Sequence, residues 1–260
     1  MMGTDYADAY GYNSIAAAIV FTIAYVPLCG FFVLQSFKNP TYMHVMLPIF
    51  CAIRFVAFMI RAILIGSDSV GKNLGLLIAD EVLFGIGFFG LLYAAYNLVL
   101  DKRLLSDLPP STGVLSGPSH SRGVFQLSLT AENALGIAGI ITELNDPTIS
   151  TGIALRKASA ILALVLTGLQ AYWTVMLVKK EMDEGQEHAK AFAEKHESFI
   201  LCAISILLIV RETFLTATIN NTEAALNENS WYPLVALPEI LAVIHYCAQG
   251  LVPRRSELPT

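Results

Sequence analysis

Apolar residues occur in long runs along the chain, and short polar stretches separate one run from the next. A helix needs about 20 mostly apolar residues to cross the hydrocarbon core of a bilayer. Seven runs of that length are present, so the pattern predicts seven membrane-spanning helices. The predicted spans are residues 14–34, 42–65, 74–98, 123–141, 157–178, 198–219 and 231–251.

The polar stretches between the runs are short. The two longest are residues 99–122, rich in Ser, Pro and Gly, and residues 179–197, whose charged sequence is typical of a helix that continues into water. Neither has the features of a second domain. We therefore predict an all-α integral membrane bundle that forms one transmembrane domain over residues 1–260.

The basic residues of the loops predict how the bundle is oriented, because cytoplasmic loops carry an excess of Lys and Arg. With the N-terminus lumenal or outside, the lumenal side holds Lys72, Arg156 and Lys157. The cytoplasmic side then holds ten: Lys38, Lys102, Arg103, Arg122, Lys179, Lys180, Lys190, Lys195, Arg254 and Arg255. An even number of spans would remove this asymmetry. Seven spans, with a cytoplasmic C-terminus, are therefore favoured.

The composition agrees with a membrane protein. Hydrophobic residues make up 55% of the chain and charged residues only 14%, with a mean hydropathy of +0.60. A water-soluble fold has no means of burying that much apolar surface. The net charge of -5 says little about partners, because several acids lie within apolar runs. We expect the lipid bilayer as the environment and no nucleic acid as a partner.

Eight ionisable residues lie inside the predicted spans, where such groups are costly and usually face a partner or a water-filled cavity. They are Arg54 and Arg61 in the second span, Asp80 and Glu81 in the third, Glu132 in the fourth, Arg211 and Glu212 in the sixth, and Glu239 in the seventh. Arg54, Glu132 and Glu239 fall near the midplane, and the other five in the lumenal half. We expect them to line one polar cavity that opens toward the lumen.

Two interpretations of these charges remain open. In the structural one they form interhelical ion pairs, for example Arg54 or Arg61 with Asp80 or Glu81, and Arg211 with Glu212 is a local pair. In the functional one the surplus of five acids over three bases leaves at least two carboxyl groups without a basic partner. Such groups tend to remain protonated in a low-dielectric setting and are potential proton donors.

Further residues of the spans have both a structural and a functional interpretation. Pro238 precedes Glu239 and frees the Leu234 carbonyl, which predicts a kink or a functional site. Tyr232 and Tyr246 are candidate substrate contacts, although an interfacial belt is the ordinary explanation for Tyr232. In the third span Gly87, Gly90 and Ala94 share one face, which favours close helix packing.

The sequence lacks the motifs of several functional classes. No predicted span has an interior lysine for a retinal Schiff base, and no Cys/His cluster has zinc spacing. P-loop, G-x-S-x-G, H-E-x-x-H and Asp-rich magnesium motifs are also missing. We therefore expect acid and base chemistry that uses no metal and no cofactor.

The short acidic N-terminus, the seven predicted spans and the ending RETFLTATINN…WYPLVALPEILAVIHYCAQGLVPRRSELP resemble fungal seven-helix membrane proteins. Within them the chain is similar to the membrane-bound terpene cyclases of the ascofuranone and macrophorin type. The resemblance implies a metal-independent enzyme of meroterpenoid secondary metabolism in the endoplasmic reticulum or another secretory-pathway membrane. Such an enzyme protonates an epoxide or olefin on a farnesyl chain attached to a phenolic or quinone-like head, and a carbocation cascade then closes rings.

The candidate residues follow from the acids that this chemistry requires. One of Glu239, Glu132, Asp80 or Glu81 is the expected initiating acid, and Arg54 or Arg61 orients it or the substrate head group. We also expect substrate contacts from three further residues, Glu212, Tyr232 and Tyr246. More distantly, the chain resembles fungal lipid-translocating exporter-like proteins associated with stress resistance. In that alternative the same charges form a transport path or a ligand site.

Overall fold

The computed structural model describes residues 6–67, 69–105, 122–145, 150–184, 192–248 and 250–253. Helices dominate these residues, and the described ranges contain no strand. The helices are α1 Tyr6–Ala9, α2 Ile15–Lys38, α3 Tyr42–Gly66, α4 Leu74–Leu105, α5 Arg122–Asn145, α6 Ser150–Glu184, α7 Phe192–Thr218, α8 Thr222–Leu226, α9 Glu228–Trp231, a π-helix Tyr232–Ala236, and α10 Leu237–His245. The all-α fold is thus confirmed.

Six helices, α2 to α7, are long and apolar enough to cross a membrane. Their outward faces expose large apolar side chains. Examples are Val20, Ile23 and Leu34, which are 62%, 64% and 63% exposed. Contact between so much apolar surface and water is unfavourable, whereas contact with apolar lipid tails is not. The six apolar helices therefore indicate a multi-pass membrane protein.

The seventh apolar run differs from the other six. It is helical from Glu228 to His245, but a π-helix divides it into short pieces. The Leu237 N–H donates to the Tyr232 carbonyl, a five-residue step in place of the usual four. Two prolines, Pro233 and Pro238, lack the N–H groups that a continuous α-helical ladder needs here. This accounts for the break in a segment that apolar content alone predicts as one span.

Two helices extend well past their predicted spans. Helix α4 continues through Leu105, into the predicted loop 99–122, whose residues 106–121 lie outside the described part of the chain. Helix α6 runs from Ser150 to Glu184, so residues 179–184 continue the helix, while 185–191 are not described. Hydropathy locates the hydrocarbon-facing part of a helix and not its hydrogen-bonded ends, which explains both differences.

The helices pack mainly against their neighbours in sequence: α2 on α3, α3 on α4, α4 on α5, α5 on α6 and α6 on α7. Helix α10 packs against α7 and also contacts α2. The last helix therefore joins the two ends of the bundle, and this brings Glu239 toward residues of α3 and α7.

Residues 6–14, which we call the N-terminal segment, fold over one end of α3 and α4. Its backbone is tied down by a hydrogen bond from the Ala7 N–H to the Gly71 carbonyl, 3.3 Å, and by one from the Ser14 N–H to Glu228 Oε2, 2.7 Å. Ala7 and Tyr12 are buried with Leu64 and Leu77 in a small apolar cluster. The segment is thus part of the packed structure, and it places the Tyr12 side chain inside the bundle.

Candidate functional site

Four polar side chains form what we call the Asp80 cluster: Tyr12, Arg61, Asp80 and Glu81. Arg61 donates from Nε and Nη2 to Asp80 Oδ2, at 3.0 and 2.7 Å. The Tyr12 hydroxyl lies 3.0 Å from Asp80 Oδ2 and 2.9 Å from Glu81 Oε1, within hydrogen-bonding distance of both. Arg61 Nη2 also donates to the Tyr12 hydroxyl at 3.1 Å. One phenol therefore bridges two carboxyl groups.

The two oxygens of Asp80 have different surroundings. Oδ2 is within reach of three donors, whereas Oδ1 is buried and has no hydrogen-bond partner among the described residues. Asp80 itself is 0% exposed. A buried oxygen without a partner is expensive unless a proton, a ligand or a water satisfies it. Oδ1 is accordingly the atom of this cluster that is available for chemistry.

The Asp80 cluster has more acids than bases. Arg61 is its only guanidinium, and two carboxyl groups lie beside it, with Arg61 Nη2 4.0 Å from Glu81 Oε1. The adjacent Arg156 is paired with Glu143 at 2.9 Å. Glu81 is partly exposed and is also near enough to Arg156 to interact with it electrostatically, whereas Arg61 is the one basic contact described for the fully buried Asp80.

A second set of charges, the Glu239 cluster, is Arg54, Arg211, Glu212 and Glu239. Arg54 donates from Nε to Glu239 Oε2 and from Nη2 to Oε1, both at 2.6 Å. Arg211 Nε donates to Glu239 Oε1 at 2.7 Å, and Arg211 Nη1 pairs with Glu212. Two guanidinium groups thus balance two carboxylates. This composition suits a buried structural network.

Arg54 is further held by helix α4. Its Nη1 and Nη2 donate to the Leu83 and Phe84 carbonyls at 3.0 and 2.9 Å. Gly87 lies one turn beyond Leu83, and a Cβ at this position would come within 2.8 Å of Arg54 Nη1. The missing side chain therefore opens the helix surface to the guanidinium. A Cβ at Gly90 would meet no atom within 4 Å, so only the first glycine of the predicted strip serves close packing.

Glu132 belongs to neither cluster by direct contact. It accepts a hydrogen bond from the Ser159 hydroxyl at 2.9 Å and one from its neighbour Asn133 at 3.2 Å. No salt bridge joins it to a described residue, although Arg211 and Glu212 are near enough to interact electrostatically. Glu132 thus matches the predicted carboxyl group without a basic partner.

Aromatic rings contact the arginines of both clusters. We call Phe21, Tyr25, Phe58, Phe84, Trp231 and Tyr232 the aromatic cluster, because ring contacts link all six. The Arg61 guanidinium lies over the rings of Trp231 and Phe84, at 4.1 and 4.4 Å from their centroids. Electron-rich ring faces attract positive charge. The rings around Arg61 are therefore suited to stabilise a cation.

Three tyrosine hydroxyls are buried without a partner among the described residues: Tyr25, Tyr232 and Tyr246. Tyr232 stacks on Phe21 at 5.6 Å and is near enough to Arg61 and Asp80 to interact with them electrostatically. No described hydrogen bond, ion pair or ring contact links Tyr246 to either charged cluster. The structure thus brings Tyr232 to the candidate site and leaves Tyr246 apart from it.

The tyrosines of the N-terminal segment both resist ionisation. Burial, reinforced by Glu81, raises the pKa of Tyr10 to about 12. Burial also raises the pKa of Tyr12 well above its usual value, although Arg61 acts in the opposite direction. Both phenols are therefore neutral at physiological pH, and Tyr12 keeps a proton to donate.

The sequence predictions for these charges are partly confirmed. Arg61 does contact Asp80, and Arg211 does pair with Glu212. The prediction that at least two acids lack a basic partner is wrong, because Arg61 reaches two carboxyl groups and Arg211 bridges Glu212 and Glu239. A count of acids against bases does not allow for such bridging.

Some functional neighbours are not evident from the sequence. Tyr12 precedes the first span, and no pattern there signals that it folds back into the bundle. Trp231 has the position of an interfacial aromatic but places its ring on Arg61. Phe58 and Phe84 are indistinguishable from lipid-facing phenylalanines in an apolar run. Only the packing of α3, α4 and the last helical segment brings these rings together.

Within the described residues, no group of three or more His, Cys, Asp and Glu side chains is arranged to hold a metal ion. Comparisons with other proteins identify no class: no protein-family model, no curated protein and no solved structure matches the chain. The site's own geometry is therefore what bears on function.

Proposed function

We propose that the chain is a membrane-bound terpene cyclase that starts cyclisation by protonating an epoxide or an olefin on a farnesyl-bearing substrate. In this proposal the last helical segment completes a seventh span, with the N-terminus lumenal and the C-terminus cytoplasmic. The 18 residues from Glu228 to His245 would extend about 27 Å as a helix, close to the thickness of the hydrocarbon core. The enzyme would reside in the endoplasmic reticulum or another secretory-pathway membrane.

The observation that carries the proposal is the asymmetry of Asp80. Its Oδ1 is buried and unpartnered among the described residues, while Oδ2 is held by Tyr12 and by Arg61, whose guanidinium lies over the rings of Phe84 and Trp231. A carboxylic acid donating from Oδ1 would leave a carboxylate whose charge Arg61 already balances. Of the four candidate acids, Asp80 therefore has the surroundings that proton donation requires.

The other candidates fit less well. Glu239 receives hydrogen bonds from two arginines, an arrangement that suits a buried ion pair and a positioning role for Arg54. Glu81 is 24% exposed and lies on the outer side of Tyr12. Glu132 has no ion pair with a described arginine, and the rings of the aromatic cluster contact Arg61, the partner of Asp80. In this proposal Arg61 orients Asp80, and the prenylated substrate lies against Phe58, Phe84 and Tyr232.

The test is to express the protein in yeast and to supply microsomes with epoxyfarnesyl phenols and their unoxidised analogues. The expected product is an isomer of equal mass, formed by the wild type and lost in Asp80→Asn. Asp101→Asn is the matched control, because Asp101 lies at the other end of the same helix and pairs with Arg122. That variant should keep turnover.

Two results would contradict the proposal. One is a folded wild-type protein that yields no isomer from any of these substrates. The other is an Asp80→Asn variant that cyclises at the wild-type rate. Should the inactive protein instead move a labelled lipid across proteoliposomes, the exporter-like alternative would replace the cyclase.

A further inference from the structure

The connection between Glu81, Tyr12 and Asp80 suggests how the initiating acid regains its proton. The Tyr12 hydroxyl lies between Glu81 Oε1 and Asp80 Oδ2, at 2.9 and 3.0 Å. Asp80 is fully buried and Tyr12 is 6% exposed, but the Glu81 side chain is 24% exposed. The three groups therefore form a hydrogen-bonded path from the surface of the protein to the buried acid.

We propose that Tyr12 and Glu81 are proton-relay residues that reload Asp80 from the aqueous boundary after each turnover. The inference rests on the proposed function, and it extends it to a step that a proton-initiated cyclase must complete. Tyr12 thus acts through Asp80 and does not touch the reacting atoms.

Protons balance over the whole cycle. Asp80 gives its proton to the substrate, the epoxide C–O bond breaks or the olefin π bond is used, and ring C–C bonds form. The final cation then loses a proton from an adjacent carbon to water. The electron pair of that C–H bond forms the C=C double bond of the product. The product is an isomer of the substrate, so one proton has left Asp80 and one has entered the water.

Reloading then runs in the opposite direction. Glu81 takes a proton from hydronium at the boundary and passes it to the Tyr12 oxygen, while Tyr12 transfers its own proton to Asp80 Oδ2. A half-turn of the Asp80 carboxyl group about the Cβ–Cγ bond brings the protonated oxygen to the position of Oδ1. This torsion angle is broadly distributed in aspartate side chains, so the half-turn is accessible. No net proton is consumed.

The charges around the path support this order. Arg61 contacts Asp80 at 2.7 Å and Tyr12 at 3.1 Å, and it remains close to Glu81. The neighbouring groups on the outer side are Tyr10, Glu143 and Arg156, of which the last two pair with each other. Arg61 therefore balances the charge of Asp80 once that carboxyl group has given up its proton.

The experiment compares the first turnover with steady-state turnover in the purified full chain, using an epoxyfarnesyl phenol that the wild type cyclises. Tyr12→Phe and Glu81→Gln should keep the first turnover within about twofold, because Asp80 is already loaded. Their steady-state rates should fall at least about a hundredfold, the lower end of the range for a lost proton-transfer group. Tyr10→Phe, which removes a phenol from the same segment, should match the wild type in both.

Chemical rescue distinguishes a relay from a structural role. Glu81→Ala leaves space at the boundary, and added formic acid should restore its steady-state rate without changing its first turnover. Equal losses in both phases for Tyr12→Phe and Glu81→Gln, with no rescue of Glu81→Ala, would overturn the relay while leaving the cyclase intact. Wild-type rates in these variants would do the same. A wild type without any cyclised product would overturn the proposed function, and the relay would fall with it.

Discussion

Arg54 and Glu239 lie 185 residues apart in the chain and form a bidentate pair in which two guanidinium nitrogens each donate to a different carboxylate oxygen at 2.6 Å. Both side chains are 0% exposed. The pair joins the second long apolar helix to the last helical segment. It therefore fixes the position of the helix that closes the bundle.

Removing one partner of this pair should strongly lower the stability of the protein. We expect Arg54→Ala to lower the free energy of unfolding by about 3–5 kcal/mol, since it leaves Glu239 with a single arginine and uncovers two backbone carbonyls. Arg122→Ala is the comparison, because Arg122 is 46% exposed and an exposed pair contributes less than about 1 kcal/mol. Reversible denaturation in detergent micelles gives both values. Similar losses in the two variants would contradict a special role for Arg54.

Gly87 should not tolerate even one methyl group. In Gly87→Ala the new Cβ would lie 2.8 Å from Arg54 Nη1 and 2.9 Å from its Cζ, so a buried side chain held by four hydrogen bonds must shift. We expect a loss of about 1–3 kcal/mol in the same unfolding assay. Gly85→Ala, which meets nothing within 4 Å, should instead be neutral or stabilise the helix by up to about 1 kcal/mol. A neutral Gly87→Ala would show that Arg54 is free to move.

Alkaline pH should loosen the N-terminal segment. The pKa of Tyr10 is about 12 in the folded chain and about 10 when the residue is exposed, so between these values the unfolded chain binds fewer protons. The stability that depends on this phenol is complete below about pH 10 and is lost as pH rises toward 12. Tyrosinate absorbance of the wild type minus that of Tyr10→Phe reports the titration. A difference midpoint near the ordinary tyrosine pKa would contradict the burial of Tyr10.

Tyr232 and Tyr246 should respond differently to the loss of their hydroxyl groups. Tyr246 has no described partner and Tyr232 has only a contact with Arg61, so both Phe variants should stay within about 1 kcal/mol of the wild type in stability. Turnover should fall up to about tenfold only in Tyr232→Phe, because only Tyr232 lies near Arg61 and Asp80. Thermal melts and product formation measured together separate the two effects. An equal loss of turnover in Tyr246→Phe would contradict this distinction and would make Tyr246 a residue of the site.

The number of spans can be tested at the two ends of the chain. Seven spans place the ends on opposite sides of the membrane, with an N-terminal tag lumenal and a C-terminal tag cytoplasmic. Protease protection of tagged protein in sealed microsomes distinguishes the two locations. Tags that are digested together would indicate an even number of spans, with the segment from Glu228 to His245 packed against the bundle without crossing.

Most of the fold could be predicted from apolar runs, because membrane spans must satisfy their backbone groups internally and helices do so. The boundaries of α2 and α3 lie within four residues of those predicted. The last run could not be predicted in the same way. Pro233 and Pro238 remove hydrogen bonds from a segment whose hydropathy is unaffected, so composition does not register the π-helix.

The site was predictable only as a set of charges. Burial of Arg54, Arg61 and Asp80 follows from the cost of placing them in lipid. Which acid binds which arginine depends on helix order and rotation, which spacing within one helix does not reveal. Arg54 thus pairs with Glu239 and not with Asp80, which is closer in sequence. The place of Tyr12 in the site could not be predicted, because Tyr12 is a single aromatic residue outside every apolar run.

The hydrogen bond from the Ser14 N–H to Glu228 has a consequence for biosynthesis. Its partners are 214 residues apart, so a ribosome working at roughly 5–20 residues per second needs about 10–40 s between them. During that interval the first span is inserted, but the end of the N-terminal segment has no Glu228 to bind. Nascent chains halted before residue 228 should therefore expose Tyr12 to modification, and the order of synthesis makes closure over Asp80 one of the last events of assembly.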